Sequence, residues 1–151
     1  MAYKGKYRPR DRAKYRGNPD EVVYRSLWEL KVMDRLDRDP NVVWWSSERV
    51  VVQYLDKTTG KTRRYYPDFL YARAIGGGRT ETIMAEVKPS KESPLHAPVP
   101  KRRRGQSEAA FLREAMTWGR NKCKWDAAEK FCAQKGWRFV VLTERQLGIR
   151  T

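Results

Sequence analysis

The stretch Arg64-Tyr65-Tyr66-Pro67-Asp68-Phe69-Leu70, with Thr82-Ile83-Met84-Ala85-Glu86-Val87-Lys88 downstream of it, decides the fold. Both runs carry the β-branched and aromatic residues that suit strands. Pro67 cannot donate to a ladder, so pairing is disturbed at the point where Asp68 stands. Asp68 is flanked by aromatic and aliphatic residues, a costly setting for a charge without a partner. Glu86 and Lys88 alternate onto one sheet face, and Ala85 and Val87 onto the other. Two carboxylates on neighbouring strands can share a hard, oxygen-preferring cation such as magnesium. A lysine beside them can steer a water or stabilise the charge of a phosphorane-like transition state.

Upstream, Asn18-Pro19-Asp20 is turn chemistry and predicts a helix from about residue 20, closed near Arg38 by Asp39-Pro40. Strands are expected at Val42–Trp45 and Arg49–Leu55, then a hairpin turn over Asp56–Lys61. A strand from Thr62 is expected to run through Pro67 to Arg73, with a loop at Gly76-Gly77-Gly78 and a strand over Thr80–Lys88. These strands form a meander rather than a βαβ series. Downstream, Ser107 caps a helix reaching about Gln134, with a break expected near Gly119 and a stop at Gly136. A last strand, Arg138–Leu142, and a helical turn, Glu144–Leu147, close the chain.

On the first helix, a step of 100° per residue puts Met33 and Leu36 within about 40° of Glu29. Glu29 therefore lies in the middle of an apolar arc, where a carboxylate needs a cation or a partner. Coupled with Asp68, Glu86 and Lys88, it completes a set of acids in places acids avoid. Glu48, between two β-rich runs, reads as a strand-edge charge, with a metal or substrate contact as its alternative. Trp118, Trp125, Phe131 and Trp137 read as core.

Charge supplies a partner. In 151 residues, 33 Lys and Arg against 18 Asp and Glu leave a net charge of +15, which calls for a polyanion. Double-stranded DNA fits, because each neutralised phosphate releases counterions. Lys4, Lys6, Arg8, Arg10, Arg12, Lys14 and Arg16 recur at every second position, predicting a basic arm over residues 1–18 ahead of a domain at 19–151. The arm's tyrosines and cations also suit an acidic protein surface. Residues 89–107 hold four of the eight prolines and the run Lys101-Arg102-Arg103-Arg104, read as a mobile, DNA-binding loop. His96 in that loop reads as exposed.

No apolar run approaches the roughly 18 residues of a membrane span. The opening Met1-Ala2-Tyr3-Lys4-Gly5-Lys6 has no apolar stretch behind its charges, so no secretory signal is expected. Cys123 and Cys132, nine residues apart on a helix, face opposite ways and are expected to stay unpaired.

Pro67-Asp68 with Glu86-Val87-Lys88, after a helical Glu29, resembles the PD-(D/E)XK nuclease superfamily. More closely, the chain resembles the head completion nucleases of contractile-tailed phages, themselves similar to TnsA-type transposon endonucleases. Tyr24-Arg25-Ser26-Leu27-Trp28-Glu29, Trp45-Ser46-Ser47-Glu48, Glu86-Val87-Lys88-Pro89 and the run from Gly136 to Glu144 carry that likeness. The resemblance implies a restriction-endonuclease-like core, with a central mixed β-sheet flanked by helices. It implies catalytic roles for Glu29, Asp68, Glu86 and Lys88, with Asp68, Glu86 and Glu29 on Mg2+, for which Mn2+ can substitute. It further implies a DNA endonuclease that processes packaged DNA ends and prepares the phage head for tail joining. Portal or neck proteins would be its partners, and the host cytoplasm or the virion head–tail junction its place. The alternative is a non-catalytic DNA-binding component of the head–tail connector.

Overall fold

A computed structural model describes residues 3–95 and 97–150; His96 lies outside the described residues. The elements are β1 (Gly5–Lys6), β2 (Val23–Tyr24), α1 (Leu27–Arg38), β3 (Val42–Ser47), β4 (Val52–Asp56), β5 (Lys61–Tyr65), β6 (Phe69–Gly76), β7 (Arg79–Val87), α2 (Glu108–Lys135), β8 (Arg138–Leu142) and α3 (Glu144–Leu147). The central sheet has the order β3-β6-β7-β8. Its first three strands are antiparallel, and β8 lies parallel to β7. The expected mixed sheet flanked by helices is therefore the fold. The meander, however, ends at β7, because the long helix α2 carries the chain back over the sheet so that β8 can pair in parallel.

Strand alternation splits the interior in two. Ala85 and Phe69 join Val32, Met33, Leu36 and Trp45 on the α1 side. Met84 and Val141 join Trp125, Ala128 and Cys132 on the α2 side, together with Val52, Tyr54 and Tyr65 of the β4–β5 hairpin. Glu86 has the parity of Met84 and so belongs to the α2 face. Cys123 and Cys132 are both free, as their spacing requires.

Four expectations are corrected. Helix α1 begins at Leu27 rather than near residue 20, because Ser26 caps it by accepting from the Glu29 amide at 3.1 Å. Ahead of that cap the β-branched Val22-Val23 segment runs extended, and Val22 enters the core. The run through Pro67 is two strands in two sheets: β5 pairs with β4, whereas β6 pairs with β3 and β7. Helix α2 passes through Gly119 unbroken. A Cβ there would stand 3.2 Å from the Thr58 methyl, so this glycine lets the hairpin turn approach the helix.

The fourth correction concerns the basic arm. The segment is tied down along its length: β1 pairs with β2, and the residues after it reach α1 and β3. The Tyr7 hydroxyl donates to the buried Asp37 carboxylate at 2.7 Å, and the Arg10 amide donates to the same oxygen at 2.8 Å. Tyr15 packs edge-on against Trp45, and the Arg16 amide donates to the Trp45 carbonyl at 2.8 Å. Tyr7 and Tyr15 are thus packing residues, whereas Tyr3 is exposed.

Residues 89–95 and 97–107 touch α2 repeatedly. Asn121 donates to the Glu92 carbonyl and Trp118 to the Ala97 carbonyl, each at 3.1 Å. Arg103 and Gln106 both reach Glu114. Among the described residues no helix is long and apolar enough to cross a membrane.

Candidate active site

Four carboxylates and a lysine converge where β7 ends and α1 begins. Glu29 occupies the third position of α1. Its Oε2 accepts from the Arg25 amide at 3.1 Å and from the Ser26 hydroxyl at 3.3 Å, and among the described residues no hydrogen bond engages Oε1. The same local chemistry that starts the helix thus aims its glutamate. The Phe69–Ala85 register, continued by one pair, puts Asp68 across from Glu86. Asp68 Oδ2 accepts from the Val87 amide at 2.8 Å. The disturbed pairing at Pro67 thus leaves that amide to a side chain. Lys88 extends the ladder by donating its amide to the Leu142 carbonyl at 3.0 Å, which fixes its backbone beside the acids.

Glu48 joins them. It is the one non-glycine with a positive φ among the described residues, at 52°, a conformation costing on the order of 1 kcal/mol. The turn it makes after β3 is held by its amide on the Asp68 carbonyl at 3.1 Å. Single carboxylate oxygens of Glu29, Glu48 and Asp68 lie within 4.8 Å of one another, and the Arg25 guanidinium rests on Glu48. Glu86 sits outside that trio. Its Oε2 is held by the buried Tyr65 hydroxyl at 2.6 Å.

Electrostatics follow from the crowding. Burial first, then the charges of Glu86 and Glu29, push the Asp68 carboxyl well above the usual range, with the Val87 amide and Lys88 opposing. Burial also raises Glu86, against the Tyr65 hydrogen bond and the cations Lys88 and Lys124. Carboxylates gathered this closely with so few cations are what a hard divalent ion relieves. The donor set therefore fits such an ion, with Glu29, Glu48, Asp68 and Glu86 as the oxygens available to it.

A comparison with family models matches residues 39–144 to the TnsA-like endonuclease N-terminal domain. The chain belongs to the TnsA-like endonuclease family. The head completion nuclease of Enterobacteria phage T4 is 35% identical over 158 aligned positions, covering 99% of each chain. The TnsA-like match takes in Glu48, Asp68, Glu86 and Lys88 and leaves Glu29 and α1 outside it.

The structure places Glu29, Asp68, Glu86 and Lys88 of this TnsA-like chain in one neighbourhood. The cations proposed for DNA fare unevenly. Lys14 is buried, its ammonium on the Asp37 and Asp39 carbonyls at 2.9 and 2.7 Å, the C-terminal end of α1. It is withdrawn from the phosphate contacts. Arg12 is paired with Asp20 at 2.8 Å, and Arg16 lies over the Trp44 ring at 4.0 Å. Lys4, Lys6, Arg8 and Arg10 are exposed, as are Lys101, Arg102, Arg103 and Arg104, of which Arg103 is paired with Glu114. Sequence reading passed over Tyr65 and Lys124 altogether.

Proposed function

We propose that this chain is a metal-dependent DNA endonuclease acting in phage head completion, where it trims packaged DNA ends before the tail joins. The observation that carries this is the convergence of Glu29, Glu48, Asp68 and Glu86 beside Lys88 within a TnsA-like endonuclease domain. The near full-length likeness to a head completion nuclease supplies the setting. A net charge of +15 supplies the affinity for DNA. Portal or neck proteins are the partners this setting implies, with action in the host cytoplasm or at the head–tail junction.

A divalent cation, Mg2+ or Mn2+, would be held by oxygens drawn from Glu29, Glu48, Asp68 and Glu86, and would supply Lewis-acid stabilisation of negative charge on the phosphate. The residues of the chain do the rest. Glu29 and Glu86 keep their carboxylates aimed through the Ser26 and Tyr65 hydrogen bonds. Lys88, fixed on the β7–β8 ladder, offers its ammonium to a phosphate oxygen as charge builds there. A water oxygen bonds to phosphorus, one ester bond breaks, and the water's proton ends on the departing alkoxide by way of solvent.

Incubating linear and branched DNA with Mg2+, Mn2+ or EDTA tests this directly. Cleavage is expected with either metal and not with EDTA, and Asp68→Ala is expected to abolish it while DNA binding persists. DNA bound but uncut under every condition would overturn the proposal in favour of a connector component.

A further inference from the structure

Helix α2 brings a second lysine to the site. On its inward face Arg120 is held by Asp56 at 3.0 Å, Asn121 by the Glu92 carbonyl at 3.1 Å, and Trp125 is buried. Lys124, one turn beyond Arg120, is half-buried with its ammonium 5.7 Å from the centroid of the Tyr65 ring, the tyrosine whose hydroxyl holds Glu86. Among the described residues neither Lys124 nor Lys88 has a carboxylate within ion-pair distance, whereas Lys122 on the outward face is paired with Asp126 at 2.8 Å. Beyond the Tyr65 ring, the charges that act on Lys124 are those of Lys88, Glu86, Arg120 and Asp56. Burial, then repulsion from Lys88, holds its ammonium below the ordinary lysine value, with Glu86 pulling the other way.

Two ammonium groups brought together from different elements repel each other unless an anion comes between them. Arg120 shows how the same helix treats a cation meant for structure: it gives it an aspartate. Lys124 receives none. Lys124 lies against Tyr65, which holds Glu86, so it approaches the acids from the α2 side while Lys88 stands on the same sheet face as Glu86.

We propose that Lys124 and Lys88 form a two-lysine clamp on the phosphate that is attacked, Lys88 gripping it from β7 and Lys124 from α2. This deepens the nuclease reading and rests on it. Lys124 is then a catalytic residue in the sense of touching the reacting phosphate. Its charge opposes the negative charge that grows on the phosphate oxygens in the transition state. Arginine keeps a cation on a long side chain at that position, which is what opposing the phosphate's charge needs.

Two measurements on the full-length chain decide it. The first is cleavage, at saturating Mg2+, of a duplex whose cut site has been mapped. Lys124→Met is expected to lower kcat by tenfold to a hundredfold, in line with the loss of one transition-state donor. Lys124→Arg is expected to recover most of that loss. The second is acylation of lysines by a water-soluble ester in the uncut complex of Asp68→Ala with the same duplex, read by mass spectrometry. DNA is expected to protect Lys88 and Lys124 together and to leave Lys122 as reactive as before.

Normal turnover in Lys124→Met, or equal labelling of Lys124 with and without DNA, would overturn the clamp. Lys124→Arg failing as badly as Lys124→Met, with a lowered melting temperature in both, would also overturn it, by assigning Lys124 to packing alone. Failure of the unaltered chain to cut with either metal would instead sink the nuclease reading. The protection experiment can then be run on any duplex the chain binds, needs no turnover, and would still decide whether Lys124 meets phosphate.

Discussion

Asp68 is the residue where function and stability conflict. Its carboxyl is pushed well up by burial, and then by Glu86 and Glu29. Without a cation, the folded chain therefore crowds negative charges that the unfolded chain separates. Asp68→Asn keeps the shape and removes one of those charges. It is expected to raise the melting temperature in EDTA at neutral pH while abolishing cleavage with Mg2+. A fall in melting temperature would mean that the bond from the Val87 amide, at 2.8 Å, outweighs the repulsion. Lys88 can be separated from the acids, since an ammonium cannot ligate a metal. Lys88→Met is expected to leave metal and DNA bound while turnover falls by on the order of a hundredfold. Glu29→Gln is expected to be milder, because an amide oxygen can still ligate. Cleavage rates at saturating Mg2+ check both.

The β4–β5 hairpin shows how one element is fastened to another. Asp56 ends β4 fully enclosed, with Thr58 on Oδ1 and both Arg63 and Arg120 on Oδ2. The Thr58 side chain is the largest influence and, with the Thr58 amide and Arg120, depresses the Asp56 carboxyl far below the usual range, against burial. A carboxylate lowered on folding adds stability above its unfolded value near 3.9, and that stability is lost as pH falls through the folded value. The stability gap between the unaltered chain and Asp56→Asn is therefore expected to narrow from pH 5 down to pH 2, read as urea midpoints. A constant gap would assign the acid sensitivity to other carboxylates.

Most of these elements were legible from the chain itself. Ser107 and Gly136 delimit α2 through ordinary capping chemistry, and the turn at Asp56–Lys61 announces the hairpin. That β5 and β6 part company at Pro67 was not legible, because both flanks read as strand and only the partners differ. The same limit applies to the site. Asp68, Glu86 and Lys88 stand out because they sit on adjacent strands with a short, regular spacing. Glu48 depends on a backbone turn with positive φ, which its neighbours Ser47 and Arg49 do not demand. Tyr65 meets Glu86 because the β4–β5 hairpin packs on that sheet face, Lys124 reaches Tyr65 because α2 crosses it, and nothing local to either residue marks those meetings.

Over the whole molecule, the basic N-terminal segment serves two ends that the sequence presents as one. Tyr7, Lys14 and Tyr15 fasten it to α1 and Trp45, while Lys4, Lys6, Arg8 and Arg10 face solvent. Deleting residues 1–18 therefore confounds folding with binding. Losing Tyr15 from the core alone is expected to cost about 3–5 kcal/mol, the range for a large aromatic truncated to alanine. Replacing only Lys4, Lys6, Arg8 and Arg10 with alanine separates the two ends. The chain is expected to keep its melting temperature, since none of these side chains enters the core. If they bind DNA phosphates, the slope of log affinity against log salt should shrink by up to about 0.9 for each phosphate no longer neutralised. Affinity measured between 50 and 200 mM salt, roughly the range over which counterion release is felt most, checks this. An unchanged slope combined with failed head completion would instead assign these four cations to an acidic protein surface. DNA affinity would then rest on Lys101, Arg102 and Arg104 along α2 and on the site lysines themselves.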